Sequence, residues 1–298
     1  MMHTDTLAPE PSPETLQLLD SRFAERSVQT ADGVQCYREA GSLPAGGTAV
    51  VLLHGIGSGA GSWLHAALRL AARTRVIAWD APGYGNSARL QPASPGAEDY
   101  AARLHQMLDA LGIERCVLAG HSLGTLMATA YAHDLGKKRV ARLVLLSPTR
   151  GYGNPALAER QQAVRAERLR TLDEVGIAGM ARTRPAKMLS SKPAPEALAW
   201  VRWNMERLDT AGYRQAIEML CNADMARYAP APVPVEVHSG DEDTVTVPAN
   251  CRAIAEMFGA PYGSIAVSGH ACHIERPEAI AAILENAYAA ATAGAAPN

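Results

Sequence analysis

The sequence of 298 residues lacks an excess of either charge and lacks a long hydrophobic run. Its formal net charge is −2 and its pI is near 6.5, so we expect neither a nucleic-acid partner nor an anionic membrane surface as a partner. No stretch of about 18 apolar residues is present, which argues against a membrane-spanning helix. The first residues, MMHTDTLAPEPSPETLQ, lack a basic segment followed by an apolar one, so no secretory signal is expected.

Cysteine is also scarce, and its pattern is uninformative for covalent or metal cross-links. The five cysteines are odd in number and never occur with C-x-x-C spacing. They are Cys36, Cys116, Cys221, Cys251 and Cys272. We therefore predict reduced thiols in a cytoplasmic protein, with no disulfide framework, no metal and no cofactor.

Short apolar runs alternate with helical patterns along most of the chain. Most of the runs are continuous, as is typical of strands covered on both faces. The predicted strands are residues 48–54, 74–80, 115–120, 141–147, 233–240 and 263–269. Strand–helix alternation predicts an α/β fold with a mostly parallel central sheet flanked by helices.

The alternation is interrupted between residues 150 and 230, where the chain is rich in Arg, Glu, Ala and Met and contains no convincing strand. This pattern predicts a helical insertion between two strands of the sheet. The predicted domains are therefore a core of residues 1–149 and 231–298 and a helical insertion of residues 150–230. The alanine-rich end, AYAAATAGAAPN, predicts a helix that frays into a tail.

The glycine cluster in LLHGIGSGAGSW, residues 52–63, has two interpretations. In the first, the pattern from Gly55 through Gly57 to Ala60 binds a dinucleotide, and Asp80 at the end of the next strand binds its ribose. Two features count against it: His54 separates the strand from the first glycine, and the chain has no Y-x-x-x-K pair.

In the second interpretation, His54-Gly55-Ile56-Gly57 forms half of an oxyanion hole. Glycines allow the chain to turn sharply and bring a backbone N–H group close to a negative charge. Such donors stabilise the oxyanion that forms during acyl transfer. This interpretation requires the remaining parts of an acyl-transfer site.

A nucleophile candidate lies in Gly120-His121-Ser122-Leu123-Gly124, which matches G-x-S-x-G between a predicted strand and a predicted helix. Ser122 would stand at a helix N-terminus, where anionic character is favoured. The N–H of Leu123 would be the second oxyanion donor, beside that of Ile56. The simpler alternative is a tight turn with an inert serine.

A serine nucleophile needs a histidine base, and His270 is the best of nine histidines because it follows the last predicted strand. His273 is expected to shape the same loop. A metal site formed by His270, His273 and Glu275 is conceivable, but no further ligand is evident.

The orienting acid is expected after the penultimate strand, in the segment GDEDTV of residues 240–245. Asp243 is the best candidate because it lies past the turn and before the helix that begins near Pro248. Asp241 and Glu242 fit turn or surface positions. The chain order of serine, aspartate and histidine agrees with this choice.

Together, HGIG, WDAPGYGNS, GHSLG, SGDEDTVTVP and SGHACHIERPE resemble the α/β-hydrolase superfamily over residues 28–290. The resemblance implies that the segment beginning at Asp80 is a structural turn and that the helical insertion is a cap. It also implies site roles: nucleophile Ser122, acid Asp243, base His270, and oxyanion donors Ile56 and Leu123. Haloalkane dehalogenases and related epoxide hydrolases have an aspartate where Ser122 stands.

The substrate is less well defined. Five residues are predicted to contact it: His54, Gly55, Met180, Trp200 and Trp203. Most apolar cap residues could equally form a core of the cap. Four arginines could bind a substrate carboxylate or lie on the surface: Arg182, Arg184, Arg202 and Arg207.

The predicted activity is hydrolysis of a small carboxylic ester or lactone through an acyl-enzyme. The main alternative is hydrolysis of a carbon–carbon bond in dienoate products of aromatic ring cleavage, whose enzymes resemble this chain at HGIGSGAGSW. Those enzymes often carry a tryptophan after the catalytic histidine, where this chain has Ala271. A ligand receptor without turnover and a dinucleotide-dependent oxidoreductase are more distant alternatives.

Overall fold

The computed structural model of the protein describes residues 10–43 and 46–293. The two ends of the predicted core domain and the last residues of the predicted alanine-rich tail lie outside this range. None of the helices in the described ranges is both long and apolar enough to cross a membrane.

In the described part of the chain, eight strands form one sheet in the order β1-β2-β4-β3-β5-β6-β7-β8. The strands are β1 (Glu25–Thr30), β2 (Gly33–Ala40), β3 (Ala49–Leu53), β4 (Val76–Trp79), β5 (Cys116–His121), β6 (Val140–Leu146), β7 (Val235–Gly240) and β8 (Tyr262–Ile265). The pairs β1–β2 and β2–β4 are antiparallel, and all the other pairs are parallel. The mostly parallel sheet predicted from the sequence is therefore confirmed.

Two parts of the sheet differ from the prediction. The hairpin β1–β2 was not predicted, because its strands ERSVQT and GVQCYREA are polar and β1 lies exposed at the sheet edge. The last strand was predicted to reach residue 269 but ends at Ile265. Val267 has φ 52°, and the N–H of Ser268 bonds to the side chain of Asp241, so the backbone leaves the ladder there.

The described ranges contain ten α-helices. They are α1 (Pro13–Arg22), α2 (Leu64–Leu70), α3 (Ala97–Ala110), α4 (Leu123–Asp134), α5 (Ala158–Thr183), α6 (Pro195–Glu206), α7 (Thr210–Asn222), α8 (Pro248–Phe258), α9 (Cys272–Glu275) and α10 (Pro277–Ala293). Pro248 and Pro277 occupy first helical positions, where a missing N–H has no cost. Gly259 ends α8 in the left-handed conformation that glycine adopts without strain.

The sheet is buried on both faces, which explains the continuous apolar runs. All five residues of β3 are fully buried. Val51 and Leu53 belong to the apolar cluster on one face, whereas Val50 and Leu52 belong to the cluster on the other. Side chains alternate between faces along a strand, so both faces require apolar residues.

Between β6 and β7 the structure contains helices α5, α6 and α7 and short 3₁₀ segments, and no strand in these fully described residues. The apolar side chains of these helices join the two clusters of the sheet. Met180 and Tyr213 pack in the cluster that holds Val51, and Trp200 packs in the other. The inserted helices therefore share their core with the sheet.

Candidate active site

Ser122 lies between β5 and α4 with φ 50° and ψ −115°, a conformation that a residue with a side chain rarely adopts. Such a residue costs about 1–3 kcal/mol, which the surrounding packing must offset. A Cβ on Gly124 would lie 2.5 Å from the carbonyl oxygen of Leu53, and one on Gly120 would lie 2.5 Å from that of Gly124. Only glycine allows β3, β5 and α4 to meet this closely.

His270 and Asp243 form a buried hydrogen-bonded pair. The distance from His270 Nδ1 to Asp243 Oδ2 is 2.9 Å, and the exposed fractions of the two residues are 1% and 2%. Thr246 Oγ1 lies 3.1 Å from the same nitrogen and donates to Asp243 Oδ2 at 2.9 Å. The role of Thr246 was not predicted, although it follows Asp243 by three residues as in a side-chain-stabilised turn.

The other carboxylate oxygen of Asp243 accepts hydrogen bonds from the N–H groups of Val245 (2.8 Å) and Thr246 (2.9 Å). Burial alone would raise the pKa of Asp243, but the hydrogen bond and charge of His270, with the bonds from Thr246, lower it to about 2. Asp243 is therefore ionised at neutral pH. An ionised carboxylate at this distance orients the imidazole and stabilises its protonated form.

A second histidine connects the loop of His270 to the turn that holds Ser122. Nε2–H of His121 donates to the backbone carbonyl of His270 at 2.8 Å. Burial, together with the nearby His270, lowers the pKa of His121 to about 3, so its ring is neutral. In the sequence, His121 was only the variable position of G-x-S-x-G, and no local signal indicated this contact.

The ring of His273 packs against that of His121. Its ring centroid is 4.3 Å from that of His121 and 4.4 Å from that of Trp63. Burial holds the pKa of His273 well below its usual range. Neither ring nitrogen of His273 has a hydrogen-bond partner among the described residues. His273 therefore packs against rings of two other segments, and it also lines the cavity that Ser122 and His270 line.

Glu275 fixes the other side of the same loop. Its carboxylate accepts hydrogen bonds from the N–H groups of Gly269 (2.8 Å) and Ser190 (3.1 Å) and from the hydroxyl of Ser190. These contacts occupy Glu275, so it does not join His270 and His273 as the conceivable metal site required.

Within the described ranges, the one group of side chains placed to hold a metal ion is His121, Cys272 and His273, whose ligand atoms lie within 4.8 Å of one another. Burial raises the pKa of the Cys272 thiol to about 12, which disfavours the thiolate that binds metals. All five cysteines are free and buried.

The glycine loop is held from below by two side chains. Nδ1–H of His54 donates to the carbonyl of Gly55 at 2.9 Å, and its Nε2 accepts the N–H of Ala81 at 3.0 Å. The hydroxyl of Tyr84 donates to the carbonyl of Ile56 at 2.9 Å. Among the described residues, the N–H groups of Ile56 and Leu123 have no partner. Both are therefore free to donate to a ligand.

Ser122, His270, Ile56 and Leu123 all line one cavity of about 290 Å³. Ser122 and His270 thus border one common space, and no hydrogen bond joins their side chains. Gly55 and Met180, two of the five residues predicted to contact substrate, also line it. A cavity of this size suits a small molecule.

The other three residues predicted to contact substrate do not line this cavity. His54 is buried beneath the glycine loop, and Trp200 is buried in the apolar cluster of the sheet. Trp203 stacks on Trp200 with ring centroids 4.7 Å apart and lines a separate, smaller cleft. The sequence indicated that Trp200 and Trp203 lie in the helical insertion, but it did not indicate the direction in which their side chains face.

Of the four arginines considered for carboxylate binding, only Arg184 lines the cavity. Arg182 is exposed, and Arg202 bonds to Glu206 at 2.7 Å. The guanidinium of Arg207 lies 3.4 Å from the ring centroid of Trp203. Two further cations that line the cavity, Arg168 and Lys187, were missed.

Asp80 has a structural environment and not that of a ribose ligand. Its exposed fraction is 6%, and one carboxylate oxygen accepts the N–H of Ala60 at 2.8 Å. Burial raises the pKa of Asp80 to about 6. This carboxylate thus connects the glycine loop to the end of β4 and is occupied by that contact. The dinucleotide interpretation, which assigned Asp80 to a ribose, is left without support.

These features are those of a hydrolase of the α/β type, and comparison with known proteins agrees. The profile of the alpha/beta hydrolase family matches residues 50–283. The match covers most of the chain, so this protein belongs to the alpha/beta hydrolase family, as its motifs predicted.

Three known proteins illustrate the similarity. The chain is 28% identical over 265 residues to a putative carbamate hydrolase RutD of Caulobacter segnis, covering 84% of this chain and 94% of that protein. It is 34% identical over 139 residues to a 2-hydroxy-6-oxononadienedioate/2-hydroxy-6-oxononatrienedioate hydrolase 2 of Pseudomonas putida, covering 45% and 47%. The enol-lactonase of Burkholderia xenovorans has a similar fold, with a TM-score of 0.75, 23% identity and coverage of 88% and 98%.

Proposed function

We propose that the protein is a serine hydrolase that cleaves a small carboxylic ester or lactone through an acyl-enzyme. The observation that carries this proposal is the buried pair of His270 and Asp243, which opens onto the same cavity as Ser122. The strained backbone of Ser122 and the ionised state of Asp243 support it further.

In the proposed reaction, Nε2 of His270 accepts the proton of the Ser122 hydroxyl as the oxygen attacks the acyl carbon. Asp243 accepts the hydrogen bond from Nδ1–H and stabilises the imidazolium that results. The N–H groups of Ile56 and Leu123 donate to the oxyanion. The imidazolium then protonates the leaving alcohol, and water attacks the acyl-enzyme with His270 again acting as the base.

Residues 150–230 act as a cap over the site in this proposal, and residues 1–149 and 231–298 form the catalytic core. The support is the contribution of both parts to one cavity: Met180, Met205 and Leu220 come from the inserted helices, and Ser122 comes from the end of β5. The cap excludes water and gives the acyl group an apolar environment.

The central test is the substitution Ser122→Ala, assayed with 4-nitrophenyl acetate and 4-nitrophenyl butyrate. We expect kcat/KM to fall about 10⁴-fold or more, because the members of such a triad act as a unit. Ser27→Ala, at an exposed position of the edge strand β1, is the matched control and should retain full activity. Turnover that persists in Ser122→Ala with unchanged circular dichroism would reject the nucleophile.

The assay also separates the enzyme from the two distant alternatives. A receptor without turnover would show no hydrolysis in either the wild type or the control. Stoichiometric binding of NADH in a fluorescence titration would restore the oxidoreductase interpretation.

Hydrolysis of a carbon–carbon bond is the second candidate, favoured by the likeness to the Pseudomonas putida hydrolase named above. Ala271 follows His270 and also lines the cavity, where the side chain of a tryptophan would occupy much of the space. A panel of esters, lactones and dienoate ring-fission products decides between the two. We expect the esters or lactones to have the highest kcat/KM, and a higher value for the dienoates would select the second candidate.

A further inference from the structure

The walls of the cavity carry positive charge without negative charge. Arg168, Arg184 and Lys187 line it, and none of the described residues that line it is an aspartate or a glutamate. Arg168 and Arg184 are half-buried, whereas Lys187 is exposed at the rim. A cavity lined by charges of one sign, with apolar walls, concentrates ligands of the opposite sign.

These cations are not neutralised by the protein. Within the described part of the chain, none of the three has a carboxylate within ion-pair distance, although their neighbours do: Arg165 contacts Glu218 at 3.1 Å, and Arg170 contacts Glu174 at 3.4 Å. The side chain of Arg184 donates a hydrogen bond to the hydroxyl of Tyr213 at 3.3 Å, and Tyr213 also lines the cavity. Within the described residues, Arg165 and Arg170 of α5 are thus paired with carboxylates, whereas Arg168 between them and the two cations that follow α5 are not.

The cations and the reacting groups come from different parts of the chain. Arg168 lies on α5, and Arg184 and Lys187 directly follow this helix, whereas Ser122 and His270 follow strands of the sheet. Apolar side chains of the cavity lie on the same inserted segment as the cations, among them Met180, Met188 and Met205. The lining thus offers a region for an anion, an apolar region and the reacting groups.

We propose that the substrate carries a carboxylate in addition to the ester or lactone that is cleaved, and that Arg168 and Arg184 bind this carboxylate while Lys187 attracts it at the rim. The proposal rests on the proposed function and specifies its substrate class. A guanidinium matches a carboxylate with two parallel hydrogen bonds, which a neutral acyl chain does not form. The volume of about 290 Å³ limits the substrate to a short half-ester of a diacid or a small lactone with an acid side chain.

The test compares two 4-nitrophenyl esters of similar size, the half-ester of glutaric acid and the neutral ester of pentanoic acid. For the wild type we expect kcat/KM to be about 10- to 100-fold higher for the glutarate half-ester, as one or two charge-assisted hydrogen bonds would give. Arg184→Gln and Arg168→Gln should each reduce this ratio about tenfold, because each removes one positive charge and its donors. Arg182→Gln is the matched control, since this residue is exposed two positions before Arg184 and should leave the ratio unchanged.

A ratio near one in the wild type, or a ratio that Arg168→Gln and Arg184→Gln leave unchanged, would overturn the proposal. Failure of the proposed function would give a different result. Ser122→Ala would then hydrolyse both esters as fast as the wild type does, or the wild type would hydrolyse neither ester. Calorimetric binding of the uncleaved glutarate half-ester to Ser122→Ala measures carboxylate recognition without turnover. Tighter binding than that of the pentanoate ester supports the proposal, and equal binding of the two overturns it.

Discussion

The buried histidines around the candidate nucleophile predict that the protein loses stability steeply below neutral pH. Burial, together with neighbouring histidines in the case of His121 and His273, lowers the pKa of three imidazoles from the ordinary value of 6.5. That of His54 falls to about 4, that of His121 falls to about 3, and that of His273 falls well below 6.5. Each is at most 2% exposed, so solvent does not screen these effects. The three rings therefore stay neutral in the folded protein at pH values where they become charged in the unfolded chain.

The sign of the effect follows from where the protons bind. A histidine whose folded pKa is lowered contributes its full share of stability above its unfolded pKa, and this share is lost as the pH falls below 6.5. At pH 5, His54 and His121 each lower the free energy of unfolding by about 2 kcal/mol relative to pH 8, and His273 acts in the same direction. Asp80 acts in the opposite direction, because burial raises its pKa to about 6. As the pH falls, the folded protein therefore binds this proton before the unfolded chain does, and this stabilises the folded state. This offsets about 1 kcal/mol, so we expect a net loss of at least roughly 3 kcal/mol, a large part of the 5–15 kcal/mol typical of folded proteins.

The measurement is urea unfolding at pH 8 and at pH 5, followed by the fluorescence of the buried tryptophans Trp63, Trp79 and Trp200. His54→Gln removes one of the three groups and should reduce the difference between the two pH values by about 2 kcal/mol, whatever it does to stability at pH 8. His133→Gln is the control, since His133 lies in the last turn of α4 with 36% of its side chain exposed. A loss below about 1 kcal/mol in the wild type would refute the reasoning, because it would mean that these rings take up protons in the folded state.

Two further substitutions test the geometry around Ser122. Gly124→Ala places a Cβ 2.5 and 2.7 Å from the backbone oxygens of Leu53 and His54, so we expect the free energy of unfolding in urea to fall by roughly 3–5 kcal/mol. The control Gly112→Ala has open space but φ +65° and should cost about 1 kcal/mol; equal costs would show that the close approach at Gly124 is not rigid. Tyr84→Phe removes the hydroxyl that donates to the carbonyl of Ile56 and should lower kcat about tenfold with little change in KM. The control Tyr228→Phe removes a hydrogen bond to Glu98 and should leave kcat unchanged; equal kcat values in the two variants would mean that Tyr84 does not position the glycine loop.

Local sequence determined much of this protein. The continuous burial of β3 follows from its apolar run, and the turn at Ser122 follows from glycines placed where a strand and a helix nearly collide. Proline and glycine at the ends of α8 set its boundaries. These features depend on residues within one or two turns of each other, so a sequence pattern describes them directly.

Contacts between distant segments were decided only by the tertiary structure. Three carboxylates follow β7, and the path of the chain brings Asp243 against His270, 27 residues away. His121 bonds to the carbonyl of a residue 149 positions later, and Arg184 rather than Arg182 turns into the cavity. The polar hairpin β1–β2 pairs with β4 although neither of its strands has an apolar run. A side chain's direction and its partner depend on how separate elements pack, and no pattern along the chain contains that information.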